Sequence, residues 1–377
     1  MKSGRSLPEI ATLIRDTHNS KRDYIANTNA LKMVNVARPG QAEAAATPDV
    51  ALQFAVRGEQ RVYRPTKLCL DQIAQRTGIP AGYAEKMRVE APGLLAQNVN
   101  HWFAAKPENR MLRTLNHDQN VARAFLSDRY RALDNFDLFA AVAPKLQAAG
   151  CEIHSAEITE TRFYLQASTA RIQAIIDQEI KTGGHNRIQR TVQAGVIIGN
   201  SEVGCGSIFI DPIMYDLVCT NGLILQRTLK RHHVGRRGEG EMFGDESSFE
   251  LFSDETRQAD DKAFWLKVSD VVTAALDQIK FNENIERLRR TQGQILAENA
   301  KEVKDVVEVT SEKFELVEAE KDALLLHFMQ GGDFSKYGLI NAVTRTASDV
   351  ESYDRAVELE RLGGKIIELP KSDLVLN

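Results

Sequence analysis

Five permanent cations fall within residues 227–237: Arg227, Lys230, Arg231, Arg236 and Arg237, with His232 and His233 among them. Cations at this density suit one task above others. They neutralise phosphates and release the counterions condensed there, so the binding they support weakens as salt rises. The formal net charge of the whole chain is −4, so a phosphate contact has to come from this local field. Just downstream, Glu239 to Asp261 holds nine carboxylates, with Arg257 and Lys262 as the cations nearby. Two uses of that acidic stretch are open. It pairs with the basic strip as ordinary solvated charge, or it folds over the strip as a flap that nucleic acid displaces.

A second basic cluster comprises Arg113, Arg123, Arg129 and Arg131, with Tyr130 interleaved. Guanidinium and aromatic groups together suit a single-strand groove, because an aromatic face stacks on any base. Tyr130 is equally compatible with a core position in which its hydroxyl is bonded. The expected nucleic-acid contacts are therefore Arg113, Arg129, Tyr130 and Arg131 with Arg227, Lys230, Arg231, His232, His233, Arg236 and Arg237.

Other reactive-looking groups lie in the glycine-bearing turn Asn200-Ser201-Glu202-Val203-Gly204-Cys205-Gly206-Ser207 and beyond it. The turn lacks the Lys-Ser/Thr ending of a P-loop and the spacing of a dinucleotide fingerprint. A strand is expected on both sides of it, where a phosphate cradle needs a helix N-terminus. A hairpin that uses its glycines for positive φ accounts for it better. Cys219 with His232 or His233 could form a thiol–imidazole pair, but no third orienting group stands at a recognisable spacing. The set Cys205, Cys219, His232 and His233 matches no zinc-finger spacing. No metal, cofactor or catalytic residue is expected. Glu202 and Asp211 look too isolated for a carboxylate pair.

These groups need elements to position them. At 377 residues, 43% hydrophobic and 27% charged, the chain calls for two or three subdomains with ordinary cores. Four cysteines without a CxxC pair read as reduced thiols. The first residues lack the apolar run of a signal peptide, and no window approaches a membrane span. A cytoplasmic protein with no membrane partner is expected.

Along the chain, Ser6-Leu7-Pro8-Glu9 is a capping box that starts a helix ending near His18. A hairpin at Leu52–Val56 and Arg61–Tyr63 turns at Gly58. The helix from Thr66 breaks at Gly78-Ile79-Pro80 before AGYAEKM. That pair resembles a helix-turn-helix, yet the second helix offers only Tyr83, Glu85, Lys86 and Arg88 to a groove. An αα-hairpin is the expectation. A helix over Gly93 to Trp102 comes next, then strands Met111–Leu115 and Ala122–Phe125, and a helix Phe136–Ala149 capped by Asp134. Strands Cys151–Ile158 and Arg162–Gln166 lead to a helix from Thr169 to Lys181. Two strands flank the glycine turn within Arg190 to Gly222. A long helix from Ala259 to about Ala300 precedes shorter ones, with breaks at Gly331-Gly332 and Gly363-Gly364.

The fold class is α+β, an antiparallel strand-rich middle flanked by helices, with a helical C-terminal region. The divisions run 1–109, mostly helical with a small hairpin; 110–238, the β-rich core with its basic strip; 239–262, the acidic loop; and 263–377, helical.

GVIIGNSEVGCGSIFIDPIMYDLVCTNGLIL followed by RHHVG, with IAQRTGIPAGYAEKM and LSDRYRALDN upstream, resembles the phage- and plasmid-associated domain-of-unknown-function family 932. The resemblance spans roughly residues 60–290, with separated motifs in the same order. Many members carry His-Asp-Gly where this chain has Ser201-Glu202-Val203-Gly204, which favours binding over catalysis here. The resemblance implies a role in handling incoming or replicating DNA. The strand-rich middle is similar, at the level of fold, to ring-forming single-strand annealing proteins. Together these lead to a protein that binds single-stranded DNA non-specifically and promotes annealing and recombination, as a homo-oligomer whose long helix supplies a subunit contact. The alternatives are a DNA- or nucleotide-processing enzyme using Cys219, His232 and His233, or an anti-defence protein whose acidic loop mimics nucleic acid.

Overall fold

The computed structural model describes residues 4–37, 48–116, 120–180, 186–217, 221–225, 229–231 and 254–375. The capping box starts α1 (Leu7–Ser20), with the Glu9 carboxylate accepting the Ser6 amide at 2.8 Å. The chain then enters β1 (Lys21–Asn27), β2 (Lys32–Ala37), β3 (Pro48–Val56) and β4 (Glu59–Pro65). Arg57 and Gly58, both at positive φ (52° and 86°), make the β3–β4 turn. Helices α2 (Lys67–Thr77), α3 (Ala81–Glu90) and α4 (Pro92–Ala105) follow. Thr66 caps α2 by accepting the Cys69 amide, and Gly78 closes it at φ 73°.

β5 (Asn109–Asn116) and β6 (Asn120–Ser127) do not begin a separate middle sheet. They insert into the N-terminal one, whose order is β1-β5-β6-β4-β3-β2, antiparallel except where β4 meets β6 in parallel. Leu70, Ile73, Leu95, Val99 and Phe103 of the helices bury against Leu52, Phe54, Tyr63, Leu112 and Phe125 of this sheet. An amphipathic helix layer on one sheet face is what makes this half stable.

The second sheet is antiparallel. It follows α5 (Asn135–Ala148) and contains β7 (Cys151–Ile158), β8 (Phe163–Ile180), β9 (Asn186–Asn200), β10 (Ile208–Asp216) and β11 (Asn221–Ile224). Its order is β11-β10-β9-β8-β7, and β12 (Leu229–Arg231) pairs with β10 on the same edge as β11. The expected helix from Thr169 to Lys181 is strand instead. Over residues 171–178 exposure alternates residue by residue, with Ile176 and Gln178 buried and Ile175 and Asp177 out. Helix-favouring Ala and Gln are overridden by pairing along β9, from Gln173 opposite Gln193 to Ile180 opposite Asn186.

The expected long helix divides into α6 (Asp254–Ala275) and α7 (Gln278–Gln292). The cause is Asp277, which starts α7 as its N-cap and accepts the Lys280 amide at 2.9 Å. Helices α8 (Ala300–Lys313), α9 (Glu318–Gly331), α10 (Lys336–Thr346) and α11 (Tyr353–Glu368) complete the α+β architecture. α9 ends at the Gly331-Gly332 step, as expected. Gly363-Gly364 does not break a helix. Both sit inside α11, where a Cβ on Gly364 would lie 2.0 Å from the Ile224 carbonyl oxygen. The glycines let α11 lie directly on β11.

Both faces of the second sheet are covered. Ile10, Ile14, Leu138, Val142, Phe264 and Val268, from α1, α5 and α6, bury one face over Phe163, Leu165, Val196 and Ile198. Tyr353 and Val357 of α11 bury the other over Tyr164, Ile197, Phe209 and Ile213. The far ends of β8 and β9, with Ile176 and Val192, join the core of the C-terminal helices.

Candidate functional site

Arg113 is not a surface cation. It is 1% exposed on β5, and each guanidinium nitrogen has a partner. Nε and Nη2 meet the Asp23 carboxylate at 3.1 Å, Nη2 also meets Asp134 at 2.6 Å, and Nη1 donates to the Glu202 carbonyl at 2.9 Å. Burial alone would lower its pKa, but Asp23 and Glu202 overcome that and hold it above the ordinary arginine value. Lys21 shares Asp134, so this aspartate, expected as a side-chain cap of α5, spends both oxygens on cations.

The glycine turn supplies the missing cap. Glu202 Oε1 accepts the Asn135 amide at 2.8 Å, the first of α5, and Oε2 accepts Arg123 Nη1 at 2.9 Å. At 4% exposed the carboxyl would titrate high through burial, yet Arg123 and Arg113 hold it below the ordinary carboxylate value. A helix N-terminus and two guanidinium groups all favour the charged form. Glu202, which looked isolated along the chain, is the centre of a buried charge network joining the two sheets. Its signal was spatial, and no local spacing carried it.

Neighbouring bonds fasten the same turn. Gln72 Nε2 on α2 donates to the Val203 carbonyl at 2.8 Å, and Tyr130 donates its hydroxyl proton to the Ser201 carbonyl at 2.9 Å. Gly204 takes φ 82°, and a Cβ there would meet Leu126 Cδ2 at 2.6 Å. Tyr130 is thus a bonded, mostly buried ring, its hydroxyl pushed well above the ordinary tyrosine value by burial. Neither Arg113 nor Tyr130 is placed to touch a strand on the surface.

The remaining candidates divide in four. Arg131 meets Asp260 at 2.8 Å and also pairs with Asp261, so the end of the acidic stretch already neutralises it. Arg129 is exposed on the turn after β6. Lys230 and Arg231 are described by their backbone in β12, where they pair with Phe209 and Ile208. Arg227, His232, His233, Arg236, Arg237 and Cys219 lie outside the described residues, as do residues 239–253 of the acidic stretch.

Among the described residues no group of His, Cys, Asp and Glu is arranged to hold a metal ion. The described cysteines are poor nucleophiles. Burial raises the thiols of Cys69 and Cys205, and raises Cys151 to about 11. His154 Nε2 lies 2.7 Å from Ser168 Oγ, but that hydroxyl donates to Gln193 Oε1 at 2.6 Å, so the pair is not arranged as base and nucleophile.

Between the two sheets lies a cavity of about 210 Å³. Ile14, Leu115, Val121 and Ile158 line it with apolar surface, while Arg123, Glu202 and Glu160 contribute charge. Glu160, exposed at the β7–β8 turn, accepts the Leu68 amide in the first turn of α2 at 3.0 Å. No helix among the described residues is long and apolar enough to cross a membrane.

Comparison with protein-family models, curated proteins and solved structures gives no match for this chain.

Proposed function

We propose that this chain binds single-stranded DNA through the basic segment 227–237, of which β12 is part, and promotes the pairing of complementary strands, as a cytoplasmic phage- or plasmid-type protein. The observation that carries the reading is the pairing of Lys230 and Arg231 with Phe209 and Ile208. It holds the backbone of part of the segment of densest positive charge on the edge of a sheet packed on both faces. A basic strand held at a sheet edge neutralises backbone repulsion while leaving base edges free to pair. Annealing requires no bond to be made or broken, which suits a site built from cations alone. Arg113 and Tyr130 drop out of the interface, and Arg131 enters it only when Asp260 and Asp261 release it. Holding many bases in register favours an oligomer, and sedimentation with and without oligonucleotide tests that part.

The main test is a series of gel shifts with single- and double-stranded oligonucleotides across salt concentrations. Binding is expected to fall linearly on a log–log plot, with single strands preferred and no effect of chelator or thiol blocking. Removing one cation from a phosphate lowers the single-strand slope by about 0.7, so Arg236→Ala/Arg237→Ala is expected to lower it by about 1.4. No single-strand binding at low salt, or a slope indifferent to the double variant, sinks the proposal.

A further inference from the structure

We infer that the cavity between the two sheets holds one unstacked nucleobase, an assignment that rests on the single-strand reading above. Size comes first. At about 210 Å³ the cavity is below the range of about 300–1,000 Å³ that takes drug-sized ligands. It has room for one heterocycle and none for a dinucleotide.

Chemistry narrows the choice. Ile14, Leu115, Val121 and Ile158 offer apolar surface to the two faces of a flat ring, as sites for extruded bases do. Polar groups stand at the edges. Among the described residues Arg123, which lines the cavity, uses one nitrogen, Nη1, on Glu202, so its other N–H groups can donate to acceptors on a ring edge. Glu160 at the rim bonds Leu68 through one oxygen, and its second oxygen can accept from an exocyclic amine. Donor and acceptor edges of this kind are what each base displays.

Charge then excludes the backbone. Glu202 already balances Arg123, and Glu160 leaves the lining negative. A phosphate or a carboxylate would enter against that field, whereas a neutral base would not. Position supplies the route. In β12, Arg231 pairs with Ile208, the residue following Ser207, so the basic strand runs toward the turn that carries Glu202 and walls the cavity.

The test titrates free adenine and cytosine, and inorganic phosphate separately, into the full chain while amide resonances of Val121 and Asn135 are followed. At least one base is expected to shift them, and phosphate is expected to leave them in place. Val121→Trp fills the cavity without touching its charges. It is expected to weaken the base about tenfold or more while leaving the salt slope for an oligonucleotide unchanged. No shift with either base, or equal shifts with phosphate, overturns the assignment. The wild-type titration decides even if the tryptophan variant does not fold. A base that binds to a chain with no affinity for oligonucleotide keeps the cavity and removes the function proposed above. An oligonucleotide that binds to a chain with no affinity for bases does the reverse.

Discussion

Replacing Glu360 with glutamine is expected to stabilise the protein at pH 8 and to leave it nearly unchanged at pH 4. Glu360 sits on α11, 1% exposed, and accepts Gln166 Nε2 at 2.8 Å. Burial pushes its carboxyl from 4.5 up to about 7, so between those values the folded chain holds a proton that the unfolded chain has released. Stability then falls as pH rises through that window and levels off above pH 7. At 1.36 kcal/mol per decade, the window amounts to about 3 kcal/mol. Glutamine cannot ionise and avoids this loss. Its amide can also donate to Gln166 Oε1, which has no hydrogen-bond partner among the described residues. The assay is urea unfolding of both proteins from pH 4 to 8.5, followed by tryptophan fluorescence. The free-energy difference should be small at pH 4, grow in favour of glutamine between pH 4.5 and 7, and then stay level. A constant difference, or a glutamine protein less stable at pH 8, would refute the placement of this carboxyl in a dry site.

Arg113→Ala should destabilise by about 3 kcal/mol or more, because it removes the buried cation of Asp23, leaves Asp134 to Lys21 alone and unpairs the Glu202 carbonyl, whereas Arg129→Ala, on an exposed turn where ion pairs are screened by solvent, should change stability by less than about 1 kcal/mol. Urea midpoints compare the two, and equal effects would contradict a buried Arg113. Gly364→Ala sets two effects against each other. Ala favours a helix interior by about 1 kcal/mol, but a Cβ 2.0 Å from a main-chain oxygen forces α11 off β11, and overpacking costs about 1–3 kcal/mol or more. The clash is with backbone and cannot be relieved by a rotamer change, so a net loss of stability is expected, and a gain in melting temperature would show that α11 does not lie on β11.

How far the chain could be read beforehand depended on the range of each signal. The capping box at Ser6, the turn at Gly58, the stop at Gly78 and the αα-hairpin that follows are carried by neighbouring residues and stand as expected. Residues 169–180 misled because their composition is helical while their pairing partner lies across the turn in β9. The Gly363-Gly364 pair reads as a break from propensity alone, and only the approach of Ile224 explains two glycines within α11. Charge was the least legible feature. Arg113 and Arg131 have the composition of a binding surface, yet their carboxylate partners stand at positions 23, 134, 260 and 261. No window along the sequence brings those together.

The same distinction bears on what the glycine turn is for. Its carbonyls and carboxylate receive Arg113, Arg123, Gln72, Tyr130 and the first amide of α5, so groups from both sides of the sheet junction converge on Ser201, Glu202 and Val203. A turn that tied down cannot open and close around a reacting group, and its one described thiol, on Cys205, is raised by burial. What so rigid a wedge can do is fix the edge of β10, which begins at Ile208 immediately after it. β12 pairs with that same end of β10. The backbone of Lys230 and Arg231, within the basic strip that starts at Arg227, therefore inherits its position from the buried network. Under the binding proposed above, loosening Glu202 should disturb contact at that edge as well as the cavity that Glu202 lines.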